Sequence, residues 1–329
     1  MKTDLRTHTC GELTRKDVGS KVKLCGWVDC VRSFGKLNFI DLRDRYGKTQ
    51  VVYKGKCELK NEYCVQISGE VNARKAGTEN KDLGTGEIEV FADDVKVLGK
   101  SKVPEIEIDD SKEFSDDLRM KYRFLDLRRG KMKDNLIFRS KVVAAAREFF
   151  IDSGFIDIET PMLVKPTPEG ARDYVVPSRV NAGKFYSLPQ SPQLYKQILM
   201  ISGFDRYFQV AKCLRDEDLR ADRQPEHTQL DFEMSFVSSE DIMNFVEGLY
   251  KHIFKEVLGI KLGKFERLTY EESMKKYGPD KPDLRKDKED KNEFAFAWVY
   301  DFPLFEYKKD EKKWAPAHYM FSIPQEKYL

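Results

Sequence analysis

The segment CLRDEDLRADRQPEHTQLDFEM (213–234) gathers basic, acidic and amide side chains between two runs of strand-like alternation. On a strand, residues two apart project to the same face. Arg215 and Glu217 are therefore expected together on the outgoing strand. Gln229, Asp231 and Glu233 share one face of the returning strand, and Leu230, Phe232 and Met234 the other. A face of Arg, Gln, Asp and Glu is either a solvated salt-bridged surface or a binding surface for a charged ligand. A second segment, LPQSPQLYKQILM (188–200), has the pattern of a helix start, with Ser191 as N-cap and Pro192 as first helical residue. Gln193 and Lys196 then lie one turn apart, and Leu194, Ile198 and Ile201 are expected to cover the inner side. A lysine beside a glutamine near a helix start can clamp a carboxylate, or be an ordinary surface lysine. The third segment, KPTPEGARDY (165–174), is an irregular loop marked by Pro166, Pro168 and Gly170. It carries Glu169, Arg172 and Asp173 and suits either a lid or a plain connection.

These groups must be held by two kinds of scaffold. Residues 1 to 103 contain five short alternating runs, VKLCGWVDCV, LNFIDLRDR, KTQVVYKG, YCVQISGEVNAR and GEIEVFADDVKVLG. That spacing predicts a small β barrel or sandwich, with the five-stranded OB barrel one candidate. KVPEIEIDDSKEFSDD (102–117) is an acidic composition shift, and residues 104–135 are expected to form a hinge or linker. The basic stretch 118–150 becomes helical in its second half, where Leu136, Val143, Ala146 and Phe149 recur at helical spacing. Its charge fits a solvated helix face or a surface facing phosphates. From 136 to 329 helices alternate with strands, which predicts an α+β unit. SSEDIMNFVEGLYKHIFKEVLG (238–259) is a second capped helix there, and KPDLRKDKEDKN (281–292) a charged loop.

Composition narrows the classes. The chain of 329 residues is 40% hydrophobic, 35% charged and 12% aromatic, and its 58 basic and 56 acidic residues nearly cancel. That balance excludes a high-net-charge disordered chain. No apolar run approaches the ~18–20 residues that span a bilayer. The start, MKTDLRTHTC, lacks the apolar core of a signal peptide, so a cytoplasmic protein with no membrane partner is expected. Six cysteines without paired CxxC knuckles, and four scattered histidines, point to reduced thiols rather than a zinc site.

Several of these segments carry a family pattern. SGFIDIETPML (153–163) resembles motif 1 of class II aminoacyl-tRNA synthetases, and Arg215-x-Glu217 with its loop resembles motif 2. TPEGARDY, LPQSPQLYKQ, GFDRYFQVAKC and RDEDLRADRQPEHTQ resemble the aspartyl-tRNA synthetases of bacterial type. CGELTRKDVGSKVKLCGWV and FIDLRDRYGKTQVV resemble that family's anticodon-binding OB domain. The resemblance implies an OB-fold β barrel over 1–103 and a class II α+β catalytic domain over 136–329, an antiparallel sheet with flanking helices. It implies ATP-dependent ligation of L-aspartate to tRNA(Asp) through aspartyl-adenylate with Mg2+, tRNA(Asn) being a candidate second acceptor, in a homodimer joined through motif 1. Arg215 then matches the catalytic arginine that touches the α-phosphate and the substrate carboxylate. Glu217 and Gln224 match ATP contacts, and Glu233 a magnesium ligand. Glu169, Gln193, Lys196, Asp231 and His318 match aspartate-binding positions, Lys196 pairing the side-chain carboxylate and Asp231 orienting it. In the barrel, Arg32, Phe39 and Gln50 match anticodon contacts, Phe39 by stacking on a base.

The pattern is departed from in three places. Only KDKEDKNE joins Arg285 to Phe294, where bacterial members insert a domain. Tyr319 stands where a second histidine is usual beside His318. Motif 3, with its ATP-clamping arginine, does not appear before Leu329, so the catalytic domain is expected to be C-terminally incomplete and to lack part of the ATP site. A non-catalytic tRNA-binding module is the alternative. An asparagine- or lysine-specific relative is a third possibility, against which the Gln193/Lys196 pair and the TPEGARDY loop argue.

Overall fold

A computed structural model describes residues 2–167, 169–217 and 224–317. The chain divides into two compact units, Met1–Ile137 and Phe138–Leu329.

In the first unit the five alternating runs become five strands: β1 (Lys21–Phe34), β2 (Leu37–Arg43), β3 (Lys48–Lys54), β4 (Cys64–Ala73) and β5 (Ile88–Gly99). They close into a barrel in the order β1-β2-β3-β5-β4. All neighbours pair antiparallel except β3 and β5, which meet in parallel at Val51 and Val90. Val22, Leu24, Val28, Ile40, Leu42, Val51, Val65, Ile67, Val71, Ile88 and Val90 fill the interior. A Cβ at Gly69 would run into the carbonyl of Phe91, so β4 passes β5 there only with glycine.

One irregularity sets the outer face. The β1–β2 register shifts between Val28 and Cys30, with Asp29 as the extra residue. Before this bulge the even positions Val22, Leu24 and Val28 point inward. After it Val31 packs against the core, opposite Ile40, and Arg32 turns outward, opposite Phe39. The Asp29 carboxylate is held by Arg43 Nε at 3.0 Å and Lys48 Nζ at 2.7 Å.

The stretch expected to be a hinge, 104–135, falls in the same unit and is helical over about half its length, all of it after Ser115. It contains α1 (Asp116–Lys121), α2 (Arg123–Asp126) and the start of α3 (Gly130–Asp152). Its arginines are half-buried and paired with acids of the same unit. Asp126, fully buried, accepts Arg119 Nε at 3.2 Å, Arg123 Nη1 at 2.7 Å and Arg129 Nη1 at 3.4 Å. Arg128 reaches Glu62 at 2.6 Å and lies 4.6 Å over the Trp27 ring, while Arg43 binds the other oxygen of Glu62.

In the second unit the sheet order is β10-β9-β6, with β6 (Ile156–Asp157), β9 (Arg206–Leu214) and β10 (Glu226–Met234). β9 and β10 form a hairpin paired from Arg206↔Met234 to Leu214↔Glu226, and β6 joins β9 in parallel. The expected apolar face is there: Leu230, Phe232 and Met234 pack on Ala146, Phe150, Phe155 and Phe208. Phe150 and Phe208 stack with centroids 4.6 Å apart. Leu136, at the far end of the α3 periodicity, is exposed. β7 (Val175–Pro177) and β8 (Phe185–Ser187) form a small hairpin, followed by α4 (Gln193–Ile201). α5 (Ser239–Leu258) has a capping box between Ser238 and Asp241 and ends at Gly259, whose φ of 69° is left-handed.

Two expectations for α4 are corrected. Pro192, not Ser191, is the N-cap, and it supplies no side-chain cap. Leu194, Ile198 and Ile201 are exposed (46%, 55% and 87%). Lys196 points at β10, and Ile198 lies two residues on, about 200° around the helix, so the apolar stripe faces away from the sheet. Among the described residues no helix is long and apolar enough to cross a membrane.

Candidate functional site

The polar face of the β9–β10 hairpin is built by register. Asp231 lies opposite Gln209, Glu233 opposite Tyr207 and Gln229 opposite Ala211, so all project from one side. Lys196 reaches this face from α4, with its Nζ 2.8 Å from Asp231 Oδ1 and 3.3 Å from Glu233 Oε2. Burial disfavours the ammonium, but the two carboxylates outweigh it and hold the Lys196 pKa above its ordinary value. Asp231 Oδ2 and Arg215 Nε are both buried and have no hydrogen-bond partner among the described residues. A buried acceptor and a buried cationic donor left open beside an ion pair are the features of a pocket for a polar ligand.

Beneath the pair, Tyr207 Oη donates to Gln209 Oε1 at 2.8 Å, and Thr160 Oγ1 to the same oxygen at 3.0 Å. The hydroxyl and amide chemistry of this layer is not visible in periodicity, and the sequence reading did not single it out. Cys213 Sγ donates to Gln229 Oε1 at 3.4 Å. Burial first, then the carboxylates of Asp231 and Glu169, push this thiol up from 9.0 to about 11, against the opposing pull of Arg215 and Lys196. The Cys213 sulfur therefore senses four of the expected site residues at once. The folded state keeps the neutral thiol while the unfolded chain ionises first, so this group favours folding below pH 9 and loses that contribution as pH rises towards 11. Iodoacetamide at about pH 8.5 should leave Cys213 unmodified in the native chain and label it in urea, as read by peptide mass spectrometry. Equal labelling in both would contradict the burial.

The loop of residues 165–174 borders the same face. Glu169 accepts Thr167 Oγ1 at 3.0 Å and Ser191 Oγ at 2.6 Å, so Ser191 holds this carboxylate instead of capping α4. Arg172 and Asp216 exchange two bonds, Asp216 N–H to Arg172 O and Arg172 Nε to Asp216 O, both 2.9 Å. Gln193 sits half-buried in the first turn of α4, one turn before Lys196.

The expected strand face of Arg215 and Glu217 does not form, because β9 ends at Leu214. Arg215 stays near the hairpin through its N–H, which donates to Pro225 O at 2.8 Å. Glu217 and Gln224 are exposed on either side of residues 218–223, which lie outside the described residues, as does His318. Glu233 lies against Lys196, and among the described residues no group of three or more His, Cys, Asp or Glu side chains could hold a metal ion.

The first unit carries its own cluster on the outer barrel face. Arg32 grips Asp41 with two bonds of 2.8 and 2.9 Å and contacts Gln50 Oε1 at 3.4 Å. Gln50 in turn donates to Glu89 at 2.8 Å. Phe39 lies edge-on to Phe34, with centroids 6.0 Å apart at 77°, and Phe34 is 68% exposed. Arg32, Phe39 and Gln50 thus share a face offering aromatic edges, amide groups and a guanidinium.

Comparison with known proteins bears on both clusters. The family profile described as tRNA synthetases class II (D, K and N) matches residues 115–329, and that for the OB-fold nucleic acid binding domain matches 22–98. The aspartate–tRNA(Asp/Asn) ligase of Caldanaerobacter subterraneus subsp. tengcongensis is 55% identical over 290 residues, covering 85% of this chain and 49% of that protein. The aspartate–tRNA ligase of Pseudothermotoga lettingae is 56% identical over 295 residues, covering 85% and 49%. The chain spans about half the length of these curated relatives. Among solved structures, asparaginyl-tRNA synthetase from Pyrococcus horikoshii complexed with asparaginyl-adenylate superposes with a TM-score of 0.71 at 25% identity, covering 82% of this chain and 66% of that one.

Proposed function

The chain belongs to the class II tRNA synthetases of the D, K and N group, with an OB-fold domain at its N-terminal side, and from that membership we propose that it serves the ATP-dependent ligation of L-aspartate to tRNA. The observation that carries the choice of aspartate is Lys196, a half-buried ammonium held between Asp231 and Glu233 and aimed from α4 at the polar face of the hairpin. A fixed cation in a low-dielectric pocket favours a ligand that brings its own carboxylate. Asparagine offers a neutral amide in that place and leaves the charge less well matched.

In the proposed reaction the α-carboxylate of aspartate attacks the α-phosphorus of ATP. Pyrophosphate leaves and an aspartyl-adenylate anhydride forms. A terminal ribose hydroxyl of the tRNA then attacks the acyl carbon, and AMP departs. Every step builds negative charge near phosphorus or an acyl oxygen, and positioning plus charge stabilisation supply the catalysis. Arg215, with its open buried Nε, binds the α-phosphate and the reacting carboxylate. Glu169 accepts the substrate ammonium, Gln193 lines the carboxylate pocket, and Asp231 holds Lys196 in place. Glu217 and Gln224 are carried over from the resemblance as ATP contacts, Glu217 beside the adenine, and His318 as a contact to the substrate. A magnesium ion carried by ATP needs only one or two protein carboxylates beside the phosphate oxygens. Glu233 has the right chemistry for one of them, where it neutralises pyrophosphate charge, and no step here is derived through the ion.

The tRNA partners proposed are that for aspartate and, as a second acceptor, that for asparagine. The barrel face of Arg32, Phe39 and Gln50 takes the anticodon. The motif 1 segment, whose Ile156, Met162 and Leu163 are exposed, is proposed to join two copies.

Calorimetric titration tests the substrate. L-aspartate should bind at least about a hundredfold more tightly than L-asparagine. Comparable affinities would remove the reason for choosing aspartate. For the barrel, Phe39→Ala should weaken binding of an anticodon stem-loop by about 1–3 kcal/mol, the worth of one stacked base. An unchanged dissociation constant in fluorescence anisotropy would take Phe39 out of the interface.

A further inference from the structure

Gln190 is 1% exposed and lies just ahead of α4. Both ends of its amide engage one residue of the 165–174 loop. Its Oε1 accepts the Ala171 N–H at 3.0 Å, and its Nε2 donates to the Ala171 carbonyl at 2.9 Å. The same Nε2 makes a close contact with Asp173 Oδ1 and a longer one, 3.4 Å, with the Thr167 carbonyl. Asp173 uses its other oxygen to accept Ser187 Oγ at 2.9 Å. The ends of the loop are tied separately: Val164 and Ser187 exchange two bonds of 2.9 Å, and the Leu188 N–H donates to Tyr174 O at 2.9 Å.

This irregular loop has no ladder of its own to satisfy the backbone at Ala171. Gly170 before it takes a left-handed φ of 96°, which turns the chain so that Ala171 meets the glutamine. Without the amide, a peptide N–H and C=O would lose their partners in a half-buried place, which favours an open loop. Glu169 is two residues away, and its second support, Ser191, is the neighbour of Gln190.

We propose that Gln190 is a positioning residue: its buried amide latches the loop to the segment that starts α4, so that Glu169 and Lys196 are presented to the two ends of one ligand as a single body. The proposal rests on the reading of Glu169 as the ammonium acceptor and assigns a residue that does not itself touch the substrate. The latch acts on ammonium recognition and leaves the carboxylate pocket of Gln193 and Lys196 as it is.

The variant Gln190→Met keeps side-chain length and bulk and removes every hydrogen bond. Two readouts follow on the full chain. Hydrogen exchange at the Ala171 amide should accelerate by about tenfold or more, and L-aspartate should bind about tenfold or more weakly, as expected for lost bonds to a charged group. Succinate, which keeps both carboxylates and lacks the ammonium, should change by no more than about twofold. Asp173→Asn, which keeps one acceptor oxygen, should fall between wild type and Gln190→Met on the first two measures. Parallel loss of aspartate and succinate binding would reduce Gln190 to a structural residue, and unchanged protection at Ala171 would overturn the latch outright. Should the wild-type chain bind neither ligand, the proposed function falls, while the exchange rate at Ala171 still decides the latch.

Discussion

Lys196→Leu removes L-aspartate binding from the calorimetric window. The substitution deletes a cation whose partners are fixed: Asp231 is 6% exposed and one of its oxygens has no hydrogen-bond partner among the described residues. Truncating one partner of a buried charge pair formed with a ligand carboxylate costs about 2–5 kcal/mol of affinity, much of it the penalty of leaving the other charge unpaired. The ligand's side-chain carboxylate would meet Asp231 and Glu233 unopposed, so attraction turns to repulsion. A loss of at least about 3 kcal/mol is more than a hundredfold in affinity. Lys196→Arg keeps the charge but replaces a compact ammonium by a wide fork, and an intermediate loss is expected. Retained affinity in Lys196→Leu would remove Lys196 from the site. The wild-type Lys196 ammonium should keep its proton in the working range. Its folded pKa lies above the ordinary 10.5, so the stabilisation is fully present below that value and is lost only as pH rises through the folded one. Aspartate affinity between about pH 6 and 9 should accordingly show no step from this group.

Asp126→Asn lowers the unfolding temperature of the barrel unit by roughly 10 °C or more. The carboxylate is fully buried and accepts three guanidinium groups, Arg119, Arg123 and Arg129. The asparagine keeps its size, but one acceptor becomes a donor aimed at cations. Breaking such a cluster from the anionic side should cost about 3–5 kcal/mol. Asp116, on the same Arg119 and 91% exposed, is the matched control. Asp116→Asn should move stability by no more than about 0.5 kcal/mol. Differential scanning calorimetry separates the two, and equal shifts would make the buried position irrelevant.

The same arginines show why charge is hard to interpret from sequence. A basic stretch states how many cations there are, and nothing about which long-range acid meets them. Arg128 and Glu62 are 66 residues apart in the chain. Apolar alternation is local, which is why all five barrel strands and the Leu230, Phe232, Met234 face follow from the sequence pattern. The α4 stripe is the counterexample. Periodicity finds the stripe at Leu194 and Ile198 but cannot tell which side the sheet occupies, and a polar partner for Lys196 decided that. The site divides along the same line. Asp231 and Glu233 share a face of β10, as alternation along a strand requires, and Lys196 meets both, although its contact with Glu233 is not foreseen from the sequence. Gln190 and Tyr207 remain hidden because their roles depend on hydrogen bonds to a loop carbonyl and to a neighbouring amide, which leave no period in the sequence.

The extra residue at Asp29 gives the barrel an unusual kind of vulnerability. Arg32 faces Phe39 because of how many residues precede it in β1, whatever those residues are. A substitution at 29 alters two ion pairs and leaves the count intact. Loss of Asp29 would merely remove the bulge and leave Val31 opposite Ile40 and Arg32 opposite Phe39, whereas one further residue inserted between Val28 and Val31 would turn Arg32 into the oily interior and Val31 out to water. Tolerance of point changes in this strand therefore says little about tolerance of length changes, and the anticodon face proposed here is preserved by arithmetic as much as by chemistry.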